Sequence, residues 1–447
     1  MKILLISPNT LTVPYPVYPI GLDYVAGSLH KRHDVKIADL NIMSLNDLGH
    51  LTRQFSPDII GISIRNIDNT EAGNPQFFIS KHKKLVDWLR SQCDAVIVGG
   101  GAGFTILPRE IFTMLALDYG IVGEGERFNQ LVDALENHHP LSGIPGLLRR
   151  DQHDNPPQPW IGNPQRWASD NGHSQFYIDH GGMLNLQTKR GCCFSCIYCP
   201  YPHIEGSKHR LVAPDKVANM ALRLQKNGAR YIFITDSAFN SDISHSLKVA
   251  EAFKKHGLSI PWGAFFAPIR HPAGYFDTMK DCGLKHIEFG TESLSHIMLK
   301  NYRKPFVPDD VITAHGQAVA AGLHAAHYFL LGGPGETADT ITESLDNVER
   351  LENTVLFFFT GIRIYPRTGL YKTAIKEKKI SHETSLLEPR YYESDAISHG
   401  QIEERVIHRK GQRINWIVGS GGEQAATTVS RLHARGHTGP LWEFLIR

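Results

Sequence analysis

Short apolar runs alternate with longer amphipathic stretches through most of this chain, a pattern that predicts strands separated by helices. Stretches such as Gly21–Lys31 and Ser80–Gln92 have the length and pattern of helices. Strands alternating with helices predict a doubly wound parallel sheet, which binds ligands at the carboxyl ends of its strands. In residues 1–140 the predicted strands are Lys2–Pro8, Val35–Leu40, Ile59–Ile64, Ala95–Gly100 and Tyr119–Gly123.

The alternation resumes in residues 183–385, where six strand–helix units predict a partial (β/α)6 barrel related to the TIM type. Residues 141–182, rich in Pro, Gly and Asn, are predicted to be a linker or a small hairpin. Residues 386–447 have weak periodicity and are assigned only as an appended C-terminal region. The predicted barrel strands are Leu184–Thr188, Tyr231–Thr235, Trp262–Phe266, His286–Gly290, Ala326–Leu331 and Leu356–Ile364.

Composition narrows the class of protein. The chain has 447 residues, enough for two or three domains, and a formal net charge of only +2, so no nucleic-acid partner is expected. No apolar run is long enough to span a bilayer, and the first residues are too short an apolar run for a signal peptide. The six cysteines do not form a disulfide framework. We therefore expect a cytoplasmic protein.

Three cysteines follow the first predicted barrel strand with the spacing C-x3-C-x2-C: Cys192, Cys196 and Cys199. A structural zinc site normally has four ligands, and so does an iron–sulfur cluster held entirely by the protein. Three thiolates leave one iron open to a substrate. The spacing therefore predicts a reactive cluster. Cys193 lies outside the motif and is expected to be a packed thiol.

Further motifs lie where the later strands are predicted to end. They are Thr235–Asn240, Glu288–Ser293, Gly332–Thr337 and Ile364–Thr368. In this order after a three-cysteine loop, the chain resembles the radical S-adenosylmethionine (SAM) enzymes, and within them the family with an N-terminal cobalamin (B12)-binding domain. The resemblance covers roughly residues 1–385. It implies a [4Fe–4S] cluster on the three cysteines, SAM on the open iron, and cobalamin on the N-terminal sheet.

The resemblance also assigns residues to SAM. It places Tyr198 near the adenine, with Tyr365 as a second candidate. Glu292 and Ser293 are expected to form hydrogen bonds with the ribose or carboxylate, and Asp236 to touch SAM or substrate, although helix capping by Asp236 is an equal alternative. Glycines of one turn are expected to let the backbone approach the nucleoside: Gly332, Gly333 and Gly335.

The N-terminal region departs from the pattern of many cobalamin domains. These carry D-x-H-x-x-G, whose histidine binds cobalt, but Asp39–Ser44 after the second strand has Asn41 at the histidine position. Either cobalamin binds without a protein histidine, or the domain has lost cobalamin. Ser63 is expected to donate to the nucleotide tail, and Arg65, under the corrin, to disfavour axial ligation. The expected cobalamin contacts are Ser63, Arg65, Gly99, Gly100, Gly101, Gly123 and Glu124.

The function implied is cobalamin-dependent C-methylation of an unactivated carbon in a small-molecule, lipid or natural-product substrate. A low-potential donor of the flavodoxin or ferredoxin type would supply electrons. Two alternatives stay open. One is radical cyclisation, oxidation or rearrangement without methyl transfer, and the other is a non-catalytic cobalamin-binding or redox-cluster protein.

Overall fold

The computed structural model describes residues 1–12, 14–150, 155–162, 164, 166, 173–419 and 421–446. The predicted linker, 141–182, falls partly on 151–154, 163, 165 and 167–172, which lie outside the described residues. Within the described part of the chain, none of the helices is long and apolar enough to cross a membrane.

The N-terminal sheet contains the five predicted strands and one more. Its strands are β1 (Lys2–Ser7), β2 (Asp34–Asp39), β3 (Ile59–Ser63), β4 (Val96–Gly100), β5 (Tyr119–Ile121) and β6 (Leu147–Leu148). Their order is β2-β1-β3-β4-β5-β6, with β1 to β5 parallel and β6 antiparallel to β5. The sheet therefore extends past the predicted boundary at residue 140. A two-residue strand carries no periodic signal, and so the sequence did not indicate β6.

Helices cover both faces of this sheet. They are α1 (Ile20–Ser28), α2 (Leu45–Phe55), α3 (Ile79–Gln92), α4 (Ala102–Ile106), α5 (Pro108–Leu115) and α6 (Phe128–Glu136). The apolar faces of α1 and α6 pack on one side of the sheet, and those of α2, α3 and α5 pack on the other. Because β1 lies between β2 and β3, the strand order reverses at β1 and β3. Ligands bind doubly wound sheets at this switch point.

The barrel contains the six predicted strands and gains a seventh from the C-terminal region. The main strands are β7 (Met183–Leu186), β10 (Tyr231–Ile234), β11 (Trp262–Phe266), β12 (Leu284–Glu292), β13 (His324–Leu331), β14 (Thr354–Thr360) and β17 (Trp416–Val418). All pair in parallel, in the order β17-β14-β13-β12-β11-β10-β7. Residues 386–447 are thus not merely appended, because β17 extends the barrel sheet.

Two short antiparallel pairs and eleven helices complete the described part of the barrel region. The pairs are β8 (Lys189–Arg190) with β9 (Arg210–Leu211), and β15 (Ile362–Arg363) with β16 (Tyr391–Tyr392). The helices are α7 (His173–Asp179), α8 (Tyr201–Ile204), α9 (Pro214–Lys226), α10 (Ile243–Lys255), α11 (Tyr275–Asp281), α12 (His296–Asn301), α13 (Pro308–Ala320), α14 (Ala338–Val348), α15 (Gly369–Lys376), α16 (His399–Lys410) and α17 (Gly422–Ala434).

The two regions share one apolar core. Side chains of the N-terminal sheet, including Ile62 and Ile64, belong to the same buried cluster as Tyr302, Ile364 and Leu370 of the barrel. A buried ion pair between Arg363 and Asp68, 2.8 Å apart, crosses the same interface. The carboxyl ends of both sheets are therefore held at a common interface.

Candidate functional site

The three-cysteine loop lies at the mouth of the barrel, where β8 and β9 pair across its base. Gly191 has a φ of +86°, and a Cβ atom there would lie 2.1 Å from the carbonyl oxygen of Lys208. Only glycine fits so close an approach. The N–H of Cys192 donates to the carbonyl of Gly206 at 3.1 Å. The loop therefore follows the first barrel strand, as predicted, and folds back on itself.

Ile197 fixes the middle of the loop. Its N–H donates to the carbonyl of Tyr302 at 3.1 Å, and its carbonyl accepts from the N–H of Leu370 at 2.7 Å. Its side chain is buried in the core shared by the two regions. Since Cys196 and Cys199 flank Ile197, this anchor fixes the backbone from which both thiols project.

The cysteines differ in exposure. Cys192 is buried, Cys196 and Cys199 are partly buried, and Cys193 is exposed. Burial raises the pKa of Cys199 to about 12 and also raises that of Cys196. Thiolates are the form that binds metals, so these thiols need a positively charged group beside them in order to ionise. An iron–sulfur cluster meets that need.

The positions of the thiols do not suit a single ion. Among the described residues, one group of three His, Cys, Asp or Glu side chains has ligand atoms that all lie within 4.8 Å of one another: His33, Asp133 and Glu136. The three cysteines of the loop do not form such a group. A zinc ion with bonds of roughly 2.3 Å requires its sulfurs to be that close. Three cysteines in one loop with a wider separation fit a polynuclear cluster better.

Lys304 is a buried cation beside this loop that sequence reasoning missed. Its ammonium donates to the hydroxyl of Tyr198 at 3.2 Å and to Oε1 of Glu292 at 3.3 Å. Burial alone lowers the pKa of Lys304, but Glu292 and the thiols of Cys196 and Cys199 raise it above its ordinary value. A permanent positive charge therefore lies next to the cluster site. The sequence offers no spacing signal for it, since Lys304 follows α12 in a loop.

Two predicted SAM residues, Tyr198 and Glu292, thus meet through Lys304. Glu292 has a φ of +65° and sits at an irregular step in the pairing of β12 with β13. A left-handed backbone is unfavourable for glutamate, and such strain is typical of functional positions. Here it turns the carboxylate toward Lys304. The structure therefore brings Tyr198 and Glu292 together at the cluster loop.

Asp236 is engaged within the protein. Its carboxylate accepts from the N–H and hydroxyl of Thr188, at 2.8 and 2.5 Å, and from the ammonium of Lys189 at 3.1 Å. The side chains of Asp236 and Lys189 are fully buried. These contacts occupy the carboxylate within the protein, and Asp236 does not cap a helix. The contact with SAM or substrate that we predicted for it stays a prediction. It anchors the segment that leads into the cysteine loop.

Ser293 is also engaged within the protein. It is fully buried, and its hydroxyl donates to Ser344 at 3.5 Å and accepts from the N–H of Ser295 at 3.1 Å. The structure does not place it in a ligand contact. Buried hydroxyls pair internally wherever a partner is available, which explains the difference.

The predicted glycine turn approaches a side chain rather than open space. A Cβ atom at Gly333 would lie 2.3 Å from the ring of Tyr302, and Gly332 and Gly335 have positive φ values. The ring of Tyr302 in turn contacts that of Tyr198, with centroids 5.9 Å apart. The turn therefore supports the cluster loop through Tyr302.

Tyr365 packs at the edge of the shared core, under the guanidinium of Arg363 at 5.1 Å. Burial raises its pKa, and the thiol of Cys199 contributes in the same direction. Tyr365 is therefore close to the cluster loop, and the position near the adenine that the resemblance implies for it stays a prediction.

A cavity of about 390 Å³ lies on the α1 and α6 side of the N-terminal sheet. It contains the strand-end residues predicted for cobalamin and reaches down to Leu5, Gly61 and Val98 on the sheet face. Its volume is within the roughly 300–1,000 Å³ of ligand pockets. It opens where the strand order reverses at β1 and β3. The predicted residues that line it are Ser63, Arg65, Gly99, Gly100, Gly101, Gly123 and Glu124.

Small residues and unpaired polar groups make this cavity suitable for a nucleotide tail. Gly101 has a φ of +105°, and a Cβ atom there would lie 2.6 Å from the carbonyl oxygen of Ile64. Within the described part of the chain, neither the hydroxyl of Ser63 nor the guanidinium of Arg65 has a hydrogen-bond or ion-pair partner. The side chain of Arg65 is exposed at the edge of this space. The donors predicted for cobalamin are thus free to bind it.

Glu124 lines the cavity wall, but its carboxylate is paired with other residues of the protein. It forms ion pairs with Arg190 at 3.3 Å and Arg210 at 2.6 Å, and accepts from the N–H of Trp160. Glu126 pairs with Arg190 at 2.6 Å. The two acids clamp the N-terminal sheet to the base of the cysteine loop, and the cobalamin contact that we predicted for Glu124 stays a prediction.

Asn41, which occupies the expected histidine position, does not line this cavity. Its amide donates to the hydroxyl of Tyr177 at 3.3 Å, and Asp39 accepts from the same hydroxyl at 2.5 Å. The loop after β1, including Asn9, lines the cavity instead. The reason is topological, because β1 borders the switch point and β2 lies at the sheet edge.

The same cavity continues to the barrel mouth. Asn185, Gln187, Thr235 and Phe265 line it from the barrel, and Tyr201 lines it just beyond Cys199. Groups bound on the two domains would therefore face each other across one cavity.

Comparison with known proteins identifies both regions. The profile of the radical SAM superfamily matches residues 186–348, and that of the B12 binding domain matches residues 6–132. The chain belongs to the radical SAM enzymes with a B12-binding domain. The matched ranges contain the three-cysteine loop and the cavity at the switch point.

Curated relatives of this enzyme span most of its length. An uncharacterized methyltransferase of Pyrococcus horikoshii is 28% identical over 84% of this chain and 83% of the relative. The cytidylyl-2-hydroxyethylphosphonate methyltransferase of Streptomyces wedmorensis is 24% identical over 87% and 84%. The tryptophan 2-C-methyltransferase of Streptomyces laurentii is 22% identical over 83% and 74%.

Solved structures confirm the fold of the enzyme. The radical SAM methyltransferase TsrM of Kitasatospora setae, with cobalamin and a [4Fe–4S] cluster bound, superposes with a TM-score of 0.86 at 20% identity. It covers 99% of this chain and 97% of that one. The cobalamin-dependent radical SAM enzyme OxsB superposes with a TM-score of 0.74 at 17% identity over 88% and 64%. Both predicted domains are confirmed at the level of fold.

The C-terminal region closes the lower end of the barrel of this enzyme. The indole N–H of Trp442 donates to Oε1 of Glu288 at 3.1 Å, and the hydroxyl of Tyr328 donates to Oε2 at 3.1 Å. Glu443 pairs with Lys285 at 3.1 Å and His286 at 3.0 Å. Residues 442–445 thus seal the lumen from below, a role that the sequence did not indicate.

Glu288 gives a prediction about pH. Burial raises its pKa from 4.5 to about 7, so the folded protein retains a proton that the unfolded chain releases between these pH values. The stability that this proton contributes to wild type, relative to the Glu288→Gln variant, is therefore fully present below pH 4.5. It is lost as the pH rises to about 7. We expect the variant to be more stable than wild type at pH 8 by up to about 3 kcal/mol, and equal to it near pH 4.5. Urea unfolding at both pH values measures this.

The glutamine amide keeps its oxygen toward Trp442, while the hydroxyl of Tyr328 rotates to accept from the amide nitrogen. The exposed Glu404→Gln variant is the control and should show no pH-dependent difference. A constant difference between Glu288→Gln and wild type at both pH values would contradict a protonated Glu288.

Proposed function

We propose that this enzyme transfers a methyl group to carbon in a small-molecule substrate, using a [4Fe–4S] cluster, SAM and cobalamin. The observation that carries the proposal is the continuous cavity between the B12-binding domain and the barrel mouth. Arg190 and Tyr201, which lie on either side of the cysteine loop in the sequence, line that cavity. A methyl carrier on the sheet would therefore face the side of the barrel that holds the loop.

Bound together, the reduced cluster and SAM supply radical chemistry while cobalamin carries the methyl group. The chain's own part is to bind, orient and exclude water. Cys192, Cys196 and Cys199 provide three thiolates and leave one iron position open. Lys304 offers a buried cation at that position, suited to the carboxylate of SAM, with Glu292 fixing the orientation of its ammonium.

The names of the relatives favour methylation over the alternatives. All three of the relatives above are named methyltransferases, and the two with named substrates act on small molecules. Cyclisation or oxidation has no comparable support in these matches. A non-catalytic role is disfavoured because a cavity lined by both the B12-binding domain and the barrel would serve no purpose in a simple cobalamin carrier.

Anaerobic reconstitution tests the proposal. The protein is loaded with iron, sulfide and hydroxocobalamin, reduced with a flavodoxin or ferredoxin system, and incubated with SAM carrying a labelled methyl group and a panel of small aromatic and phosphonate compounds. Gain of one labelled methylene in a product supports methyl transfer. Loss of hydrogens without that gain would support oxidation, and absence of SAM turnover across the panel would contradict an enzyme of this kind.

Cobalamin is proposed to bind without a protein histidine, with Arg65 beneath the corrin. Replacement of Arg65 by histidine is expected to change the visible spectrum of bound hydroxocobalamin, because an imidazole there comes within reach of cobalt and a guanidinium does not coordinate it. The Arg65→Gln variant is the control, as its amide is a poor cobalt ligand. Bound cobalamin with an unchanged spectrum in Arg65→His would contradict this placement.

We also propose a cytoplasmic location. All six cysteines are free thiols, and the proposed cluster requires them reduced.

A further inference from the structure

A second cavity, of about 630 Å³, opens on the opposite face of the B12-binding domain. It lies between α2 and α3, whereas the proposed cobalamin cavity lies on the side of α1 and α6. The two cavities share only Asn9, Ser63 and Arg65 at the carboxyl edge of the sheet. The proposed function assigns no role to this second cavity.

The second cavity is lined by positive charge without negative charge. Arg65, Lys81 and Lys84 border it, and its lining residues include no aspartate or glutamate. Among the described residues none of these three cations has an ion-pair partner. Lys83, between them in sequence, pairs instead with Asp87 on the outer side of α3. Three unneutralised cations around one concave surface favour an anionic ligand.

The walls of the cavity are mainly apolar. Met43 and Leu45 contribute from the start of α2, and Phe78, Leu85 and Trp88 contribute from α3. Leu45 is 52% exposed and is available to pack against a ligand. His82 adds no charge, since burial lowers its pKa to about 4. The cavity thus combines an apolar interior with a cationic border.

We propose that this cavity binds a small organic anion, a carboxylate, phosphate or sulfonate carried on an apolar body. The apolar body packs against Leu45, Leu85 and Trp88, and the anionic group lies between Lys81, Lys84 and Arg65. Because Arg65 borders both cavities, the anion would lie next to the proposed cobalamin site without entering it. The inference goes beyond methyl transfer and does not depend on it.

The test compares two probes that differ only in charge. 1-Anilinonaphthalene-8-sulfonate is an apolar anion, and N-phenyl-1-naphthylamine is the same ring system without the sulfonate. Both are titrated by fluorescence into the full-length protein loaded with hydroxocobalamin. We expect one sulfonate site per chain. Energy transfer from tryptophan to the bound probe should occur and should be smaller in the Trp88→Phe variant. Binding should weaken as salt rises, since the cations are partly exposed.

Removing the charges should affect the anion alone. In the Lys81→Gln/Lys84→Gln variant the dissociation constant of the sulfonate is expected to rise at least fivefold, while that of the neutral probe changes less than twofold. Lys83→Gln, which removes the neighbouring charge on the same helix, should leave both unchanged. Leu45→Trp, which fills the cavity mouth, should weaken both probes. Octanoate and octyl phosphate as competitors distinguish a carboxylate from a phosphate ligand.

Two results would overturn the proposal. If the double variant binds the sulfonate as tightly as wild type does, the cations do not select an anion. If the cobalamin-free protein binds one sulfonate per chain and the protein loaded with hydroxocobalamin binds none, the cavity is part of the corrin seat. Unchanged thermal unfolding and cobalamin absorbance in the variants establish that neither result comes from misfolding.

Discussion

Replacing Cys196 by alanine is expected to abolish the iron–sulfur cluster and with it all turnover of SAM. Two remaining thiolates cannot hold a cluster that already relies on three protein ligands. Cobalamin binding should persist, because Cys196 does not line the cavity at the β1 and β3 switch point. Iron and sulfide content after anaerobic reconstitution, the visible spectrum and product formation measure the three effects separately.

Cys193 provides a matched control, since it is adjacent to Cys192 but exposed. The Cys193→Ala variant should retain full iron content and activity. A Cys196→Ala protein that still held four irons, or a Cys193→Ala protein that lost them, would mean that the cluster ligands are assigned incorrectly.

Replacing Asp236 by alanine is expected to destabilise the protein by about 3–5 kcal/mol, because it leaves the ammonium of Lys189 buried and unpaired. Both side chains of this pair are fully buried. The carboxylate also accepts from Thr188, and its loss frees the segment that leads into the cysteine loop. Urea unfolding of the cluster-free protein measures the stability.

Asp215 is the control for this change, because it is 63% exposed and pairs only with side chains on the surface. Its replacement by alanine should cost less than about 1 kcal/mol. Weakened SAM binding in Asp236→Ala with unchanged stability would instead restore the ligand role that the resemblance suggested.

Most of the fold could be predicted from local pattern. Buried parallel strands are continuous Ile- and Val-rich runs, and so the five strands of the first sheet and six of the barrel were identified within a few residues. The short strands β6 and β17 were missed, because two or three residues carry no periodicity. Their position depends on the partner strand that each one joins.

The candidate site also contains residues that the sequence predicts and residues that only the structure shows. The cluster cysteines lie in one short loop, so covalent spacing alone determines that they come together. Lys304 and Glu292 meet across a loop and an irregular strand end, and no spacing relates them to Cys196. Asp236 and Glu124 looked like ligands because they follow strands, yet both neutralise buried cations from elsewhere in the chain.

The sequence by itself determined the two-domain α/β architecture and the three-thiol cluster loop, since periodicity and spacing are properties of adjacent residues. The tertiary structure decided which polar side chains remain free. A buried polar or charged group must be paired, and its partner comes from whichever segment packs beside it. That requirement commits Asp236, Ser293 and Glu124 to the protein and leaves Ser63 and Arg65 facing the cavity.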